Sequence, residues 1–165
     1  MRSTKWESFL RRVNESYRWF SVLRLFCYLA TAVCVLVFGY LFVHFLQKSP
    51  VVFFEFLVIL GAPMVIVDLL RRFIDAPRPY QVYDFFTTQP KRKMGASFPS
   101  RHAFSAFAIG TVCFFVFPVI GIVTLILAAM MCFARVLLGI HFVRDVVCGA
   151  LVGIIIGIVG ILIIY

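Results

Sequence analysis

The sequence predicts an all-α polytopic transmembrane bundle of about five spanning helices, preceded by an amphipathic interfacial helix. Three observations predict it. Of the 165 residues 63% are hydrophobic and only 14% charged, and the mean hydropathy is +1.04. Apolar runs of about 20 residues, the length a helix needs to cross a bilayer, recur between short polar connections. A soluble domain is nearer half apolar and a quarter charged. The length fits one membrane domain over residues 1–165.

Each element has its own signal. Residues 1–19 mix Arg11, Arg12, Glu15 and Arg18 with Trp6, Phe9, Leu10, Val13, Tyr17 and Trp19, the two-faced pattern of a helix lying on the membrane surface. The opening Met1-Arg2-Ser3-Thr4-Lys5 lacks the apolar core and small-residue cleavage site of a secretory signal, so the first span is expected to stay attached. Residues 20–46 form that span, with Arg24 and His44 near its ends and able to snorkel. Gln47-Lys48-Ser49-Pro50 reads as a turn and residues 51–70 as the second span, which contains Glu55, Pro63 and Asp68. Residues 71–98 are basic and turn-rich, with Arg71, Arg78-Pro79 and Lys91-Arg92-Lys93, and read as a loop outside the membrane. Residues 99–117 and 119–138 form the next two spans around a turn at Pro118. Residues 143–165 form the last, with a stripe of Gly149, Gly153, Gly157 and Gly160 that permits close helix packing in lipid.

The five cysteines lie inside apolar runs without metal or disulfide spacing and read as small core residues. The formal charge of +9 points to anionic lipid headgroups as the partner, with no nucleic-acid role. Alternation of the spans puts all but Lys48 of the 16 Lys and Arg residues on one face, which the positive-inside rule directs toward the cytoplasm.

Three polar clusters fall on that same face: Arg71 with Arg78-Pro79, Pro99-Ser100-Arg101-His102, and Arg135 with His141 and Asp145. Ionisable groups so close to hydrocarbon are costly and mark a functional site by default. Arg72, Lys91, Arg92, Lys93 and Arg144 read as headgroup contacts. Arg71, Arg78 and Arg135 suit bidentate binding of phosphate oxygens and would repel one another without an anion between them. Pro99-Ser100 opens a helix that Ser97 can cap, and its N-terminus would offer free amides to an anion, with the Ser100 hydroxyl beside them. His141 and Asp145, four apart, share a face if the last helix has begun. The aspartate then fixes the imidazole tautomer and leaves the other ring nitrogen free to attack phosphorus. Two histidines and an aspartate set among arginines make a poor cation site, so no metal and no cofactor is expected.

The order Arg71-x6-Arg78-Pro79, Pro99-Ser100-x-His102, Arg135-x5-His141-x3-Asp145 resembles the three-part signature of the type 2 phosphatidic acid phosphatase superfamily. It covers residues 71–145, roughly half the chain. The resemblance implies a helical bundle, metal-independent hydrolysis and a phosphohistidine intermediate. It makes His141 the nucleophile, Asp145 its orienting partner and His102 the acid at the leaving oxygen. Arg71, Arg78, Ser100 and Arg135 would hold the phosphate, and Arg101 is added to that set.

Three positions depart from the family pattern. Arg71 replaces a lysine, Arg101 a glycine, and Ala134 the serine before the third-motif arginine. The Arg101 change suggests a substrate with extra negative charge, such as a prenyl diphosphate. Undecaprenyl diphosphate, phosphatidylglycerophosphate and phosphatidic acid all suit the pattern, and the expected location is a bacterial cell membrane. Family knowledge sets many bacterial relatives' sites on the outer face, against the charge bias. A lipid phosphotransferase and a non-catalytic anionic-lipid binding or transport protein are the alternatives, and oligomeric state is left open.

Overall fold

The structure is a computed structural model that describes residues 5–83 and 95–165. The chain is an all-α polytopic membrane bundle of seven described helices: α1 (Lys5–Glu15), α2 (Tyr17–Lys48), α3 (Pro50–Ile74), α4 (Pro79–Val82), α5 (Arg101–Val116), α6 (Pro118–Leu137) and α7 (Val143–Ile164). Four stretches are long and apolar enough to cross a membrane: α2, Pro50–Val82, α6 and α7. The fifth expected span, residues 99–117, is the 16-residue α5. At 1.5 Å per residue α5 is about 24 Å long, short of the roughly 30 Å hydrocarbon core. It compensates by being central, with neighbours in α2, α3, α6 and α7. The Lys91-Arg92-Lys93 segment lies outside the described residues.

Proline and serine punctuate the bundle. Ser49 is the extended residue between α2 and α3, and its side chain accepts a hydrogen bond from Val51 N while Pro50 occupies the first turn of α3. Phe117 turns the chain between α5 and α6, and Pro118 starts α6. At that far end Lys48 Nζ sits 3.6 Å from the centroid of the Tyr165 ring, which ties the ends of α2 and α7 together.

The Gly149–Gly160 stripe faces neighbouring helices directly. A Cβ on Gly153 would run into the Phe104 carbonyl of α5, one on Gly149 into the Ser100 carbonyl, and one on Gly160 into Ile59 of α3. The α5–α7 pair is thus in backbone contact. Aromatic rings fill the other half of the core: Phe56 stacks between Phe38 and Phe45, and both Phe45 and Phe56 are fully buried. The five cysteines are unbonded, four of them buried.

The N-terminal reading needs a correction. Residues 1–19 were expected as one helix on the membrane surface, but the helix breaks at Ser16, which is extended, and α2 begins at Tyr17. The described part is also anchored. Asn14 is buried, and its Nδ2 donates to the carbonyls of Leu10 and Leu137 at 2.8 Å each, joining α1 to the end of α6. Leu10 packs beside it against Leu137, Leu23 and Tyr80.

Candidate active site

All eight residues singled out from the sequence lie at the bundle end where α3 and α6 finish and α5 and α7 begin.

The end of α6 is a Schellman turn. Gly139 adopts φ +64°, its N–H donates to Val136 O at 3.0 Å, and Ile140 N–H donates to Arg135 O at 3.0 Å. That left-handed conformation favours glycine. The turn stops α6 just after Arg135 and sends the chain sharply to His141, which is 2% exposed. His141 precedes α7 rather than sitting in it. Asp145 occupies the first turn of α7, where its Oδ2 accepts the Phe142 N–H at 3.0 Å. The pairing therefore arises from a helix cap, with His141 Nδ1 3.6 Å from Asp145 Oδ2.

Ser97 completes this pair and corrects the expected helix start. It does not cap α5. Ser100 does, accepting from Ala103 N at 3.4 Å, and α5 begins at Arg101 with Pro99 outside the helix. Ser97, fully buried, donates its hydroxyl to Asp145 Oδ2 at 2.5 Å and stands 3.4 Å from His141 Nδ1. The sequence did hold a signal: two serines, Ser97 and Ser100, compete for one N-cap, and the loser is free for other work. Ser100 is buried, and its amide donates to the Asp145 carbonyl at 2.9 Å, so Asp145 holds both the imidazole side and the start of α5.

The segment before α5 is held by arginines. Arg71, buried at the end of α3, donates to the carbonyls of Ser97 (3.3 Å), Pro99 and Ala96. A lysine in this place would lack the planar fork that reaches several carbonyls. Arg78 Nε donates to Gly95 O at 3.1 Å, and Gln81 Oε1 accepts from the amides of Arg78 (2.7 Å) and Gly95 (3.3 Å). The Ser97 amide donates to Ala76 O at 2.9 Å.

A polar cavity of about 290 Å³ opens over this segment, lined by Asp68, Arg71, Arg72, Arg78 and Arg101 with the Gly95–Ala96 backbone. His141, His102, Ser100 and Arg135 lie outside that lining. They are nevertheless electrically joined to it. The charges of Arg135, His141, Arg101 and Arg71 all act on His102, and those of Arg78 and Arg135 act on His141. Arg135 Nε is buried and has no hydrogen-bond partner among the described residues. Asp68, which the sequence reading passed over, pairs with Arg101 at 3.2 Å. Arg144 lies on the outside of Asp145, with its Nε 3.6 Å from Oδ1.

Burial pushes the His141 imidazole down to about 4 from its ordinary value near 6.5. The Asp145 carboxylate, 3.6 Å from Nδ1, opposes that, and the Arg78 and Arg135 charges add to it. The ring is thus neutral at physiological pH, and the lone pair is available. The unfolded chain takes up a proton here near pH 6.5 and the folded one only near 4, so stability falls as pH drops through that window. Histidine ¹³C NMR of the detergent-solubilised protein, assigned against His141→Gln, is expected to show a midpoint near 4 that rises in Arg78→Gln. A midpoint near 6.5 in the unsubstituted protein would contradict this electrostatic picture.

The chain matches the family model of the PAP2 superfamily over residues 52–165, a stretch that includes all eight residues of the candidate site. Among solved structures it is similar to LpxE from Aquifex aeolicus, at 24% identity and a TM-score of 0.67 with 93% of each chain covered. It is also similar to a transmembrane PAP2 type phosphatidylglycerolphosphate phosphatase from Bacillus subtilis. That match has 18% identity and a TM-score of 0.63, and it covers 98% of this chain and 87% of the other. No curated protein sequence matches. At these identities the two structures speak for the fold, and the family model, which spans more than half of the chain, carries the classification: the chain belongs to the PAP2 superfamily.

Proposed function

We propose that the chain is a lipid phosphatase that hydrolyses a phosphate monoester or diphosphate on a membrane lipid, through a phosphohistidine on His141. The observation that carries this reading is the chain His141–Ser97–Asp145, with Arg78 and Arg135 near enough for their charges to act on the imidazole. Ser97 gives its proton to Asp145, so its oxygen can accept from Nδ1–H of His141. That tautomer leaves the Nε2 lone pair as the nucleophile.

In the first step Nε2 forms a bond to phosphorus and the bond to the lipid oxygen breaks. His102 supplies the proton that the leaving oxygen takes. A phosphate dianion bound beside His102 would favour the protonated imidazole. In the second step water attacks the phosphohistidine, His102 takes the water proton, and inorganic phosphate leaves with His141 restored. Arg71, Arg78 and Arg135 stabilise the charge on the equatorial oxygens, with Arg135 Nε as an unspent donor. Arg71 also braces the Ala96–Pro99 carbonyls, so it shapes the pocket as well as charging it. The Ser100 contribution comes through its capping of α5 and its bond to Asp145.

The test is phosphate release by the purified protein from a panel of lipid phosphates, with and without chelator. Release from at least one lipid, unchanged by chelator, is expected. Ser97→Ala should lower kcat about 10- to 100-fold with little change in KM, the scale seen when the outer partner that orients a metal-ligating histidine is removed. Absence of release from every lipid, or an unaltered kcat in Ser97→Ala, would count against the mechanism.

A further inference from the structure

The polar cavity contains more positive charge than one phosphoryl group requires. Among the described residues four arginines and a single carboxylate line it. Arg71 and Arg78 are tied inward to backbone carbonyls. Among the described residues Arg101 and Arg72 have no such carbonyl partner. Arg101 is the first residue of α5, between Ser100 and His102, so its backbone is fixed by the same cap that fixes the site. Its guanidinium reaches back across the cavity to Asp68 of α3, at 3.2 Å, with both side chains part-exposed. Asp68 lies three residues before Arg71 and four before Arg72, so both can share its helical face. A carboxylate in a polar cavity among arginines occupies the place an anion would take.

We infer that Arg101 and Arg72 form a second phosphate subsite beside the reacting one, and that Asp68 is a specificity-determining residue that holds Arg101 until a doubly phosphorylated head group displaces it. This rests on the hydrolase reading for the identity of the reacting site. The physical argument is competition. A single carboxylate balances one of the cavity's four cations, so a head group that brings only one phosphate satisfies the inner arginines and leaves the Asp68–Arg101 pair intact. A head group with a second phosphate offers Arg101 a more highly charged, bidentate acceptor. A diphosphate carries that second phosphate on the first, and a glycerol- or sugar-linked bisphosphate carries it several bonds away.

The experiment compares a prenyl monophosphate, the prenyl diphosphate of the same chain and a lipid with two separated phosphates, using the full chain in detergent micelles. For Arg101→Gly, kcat/KM on the preferred doubly phosphorylated lipid is expected to fall about 10- to 100-fold further than kcat/KM on the monophosphate, the scale of a charge-assisted contact. Whichever of the two doubly phosphorylated lipids responds identifies the spacing. Asp68→Asn should raise kcat/KM on that lipid roughly two- to fivefold, the scale of an exposed ion pair, and should do nothing in the Arg101→Gly background. Equal losses on all three lipids, or no loss on any, would overturn the inference. Thermal stabilisation by inorganic pyrophosphate against that by phosphate is measured alongside in both proteins. An Arg101-dependent preference for pyrophosphate without turnover would keep the subsite and remove the hydrolase reading. Turnover without any Arg101-dependent preference would do the reverse. Should Arg101→Gly fail to fold, Arg101→Gln serves the same comparison.

Discussion

Substitution of His141 by glutamine is expected to reduce kcat/KM on every lipid phosphate by roughly 10⁴- to 10⁶-fold, the scale seen when a covalent nucleophile is removed. Glutamine retains a donor for Ser97 and fills much the same volume in a site where the histidine is 2% exposed. The Asp145–Ser97 and Asp145–Phe142 bonds do not involve the imidazole, so the start of α7 should survive. The loss should therefore be one of chemistry, with the thermal midpoint little changed. The second measurement is chemical. After brief exposure to a substrate labelled in the reacting phosphate, the unsubstituted protein should carry label that survives alkali and is lost in acid, as expected of a phosphorus–nitrogen bond. His141→Gln should carry none. Turnover by His141→Gln above about a hundredth of the original rate would remove the nucleophile from the mechanism.

The amount of this arrangement that could be read in advance depended on whether a relation was local. Alternation of apolar runs sufficed to bring residues near 71, 100 and 141 to one end, because a helix that crosses a bilayer has only two ends. Helical spacing sufficed to associate His141 with Asp145, although the actual link is a cap in which His141 lies outside the helix. Relations set by helix rotation were not legible. The Asp68–Arg101 pair spans 33 residues and depends on which face α3 turns toward α5. The Asn14 bond to Leu137 spans 123 residues and turns an apparently superficial helix into an anchored one. Ser97 was misplaced for a different reason: caps and buried relays use the same hydroxyl chemistry, and only the position of the first helical residue tells them apart. The threefold grip of Arg71 on the Ala96–Pro99 carbonyls required the path of a turn segment, which composition does not specify.

The glycines of α7 connect the fold to the chemistry most directly. Because α5 and its cap carry Ser100, Arg101 and His102 while α7 carries Asp145, the separation of those two helices sets the geometry of the site. Glycine is the only residue that permits the separation observed. At Gly153 a Cβ would meet the Phe104 carbonyl and lie 3.0 Å from Ala108 N. At Gly149 it would lie 2.5 Å from the Ser100 carbonyl and 3.1 Å from Ala103 Cβ. These neighbours are mostly backbone, which cannot rotate away as a side-chain tip can. One methyl must therefore push the helices apart. Overpacking of this kind costs about 1–3 kcal/mol, and in a lipid bundle it also forfeits the close contact that holds helices together. Gly153→Val is expected to prevent accumulation of folded protein. Gly149→Ala should fold with a lowered thermal midpoint and lose activity out of proportion, because its methyl presses on the residue that caps α5. Gly39→Ala and Gly61→Ala are the internal controls, since nothing lies within 4 Å of a Cβ at either position. There the better helix propensity of alanine should leave stability equal or slightly higher. Thermal unfolding in detergent, followed by size-exclusion chromatography, distinguishes the two groups. A Gly153→Val protein as stable as the Gly39→Ala control would mean that α5 and α7 do not meet through their backbones, and that the spacing of the site has another cause.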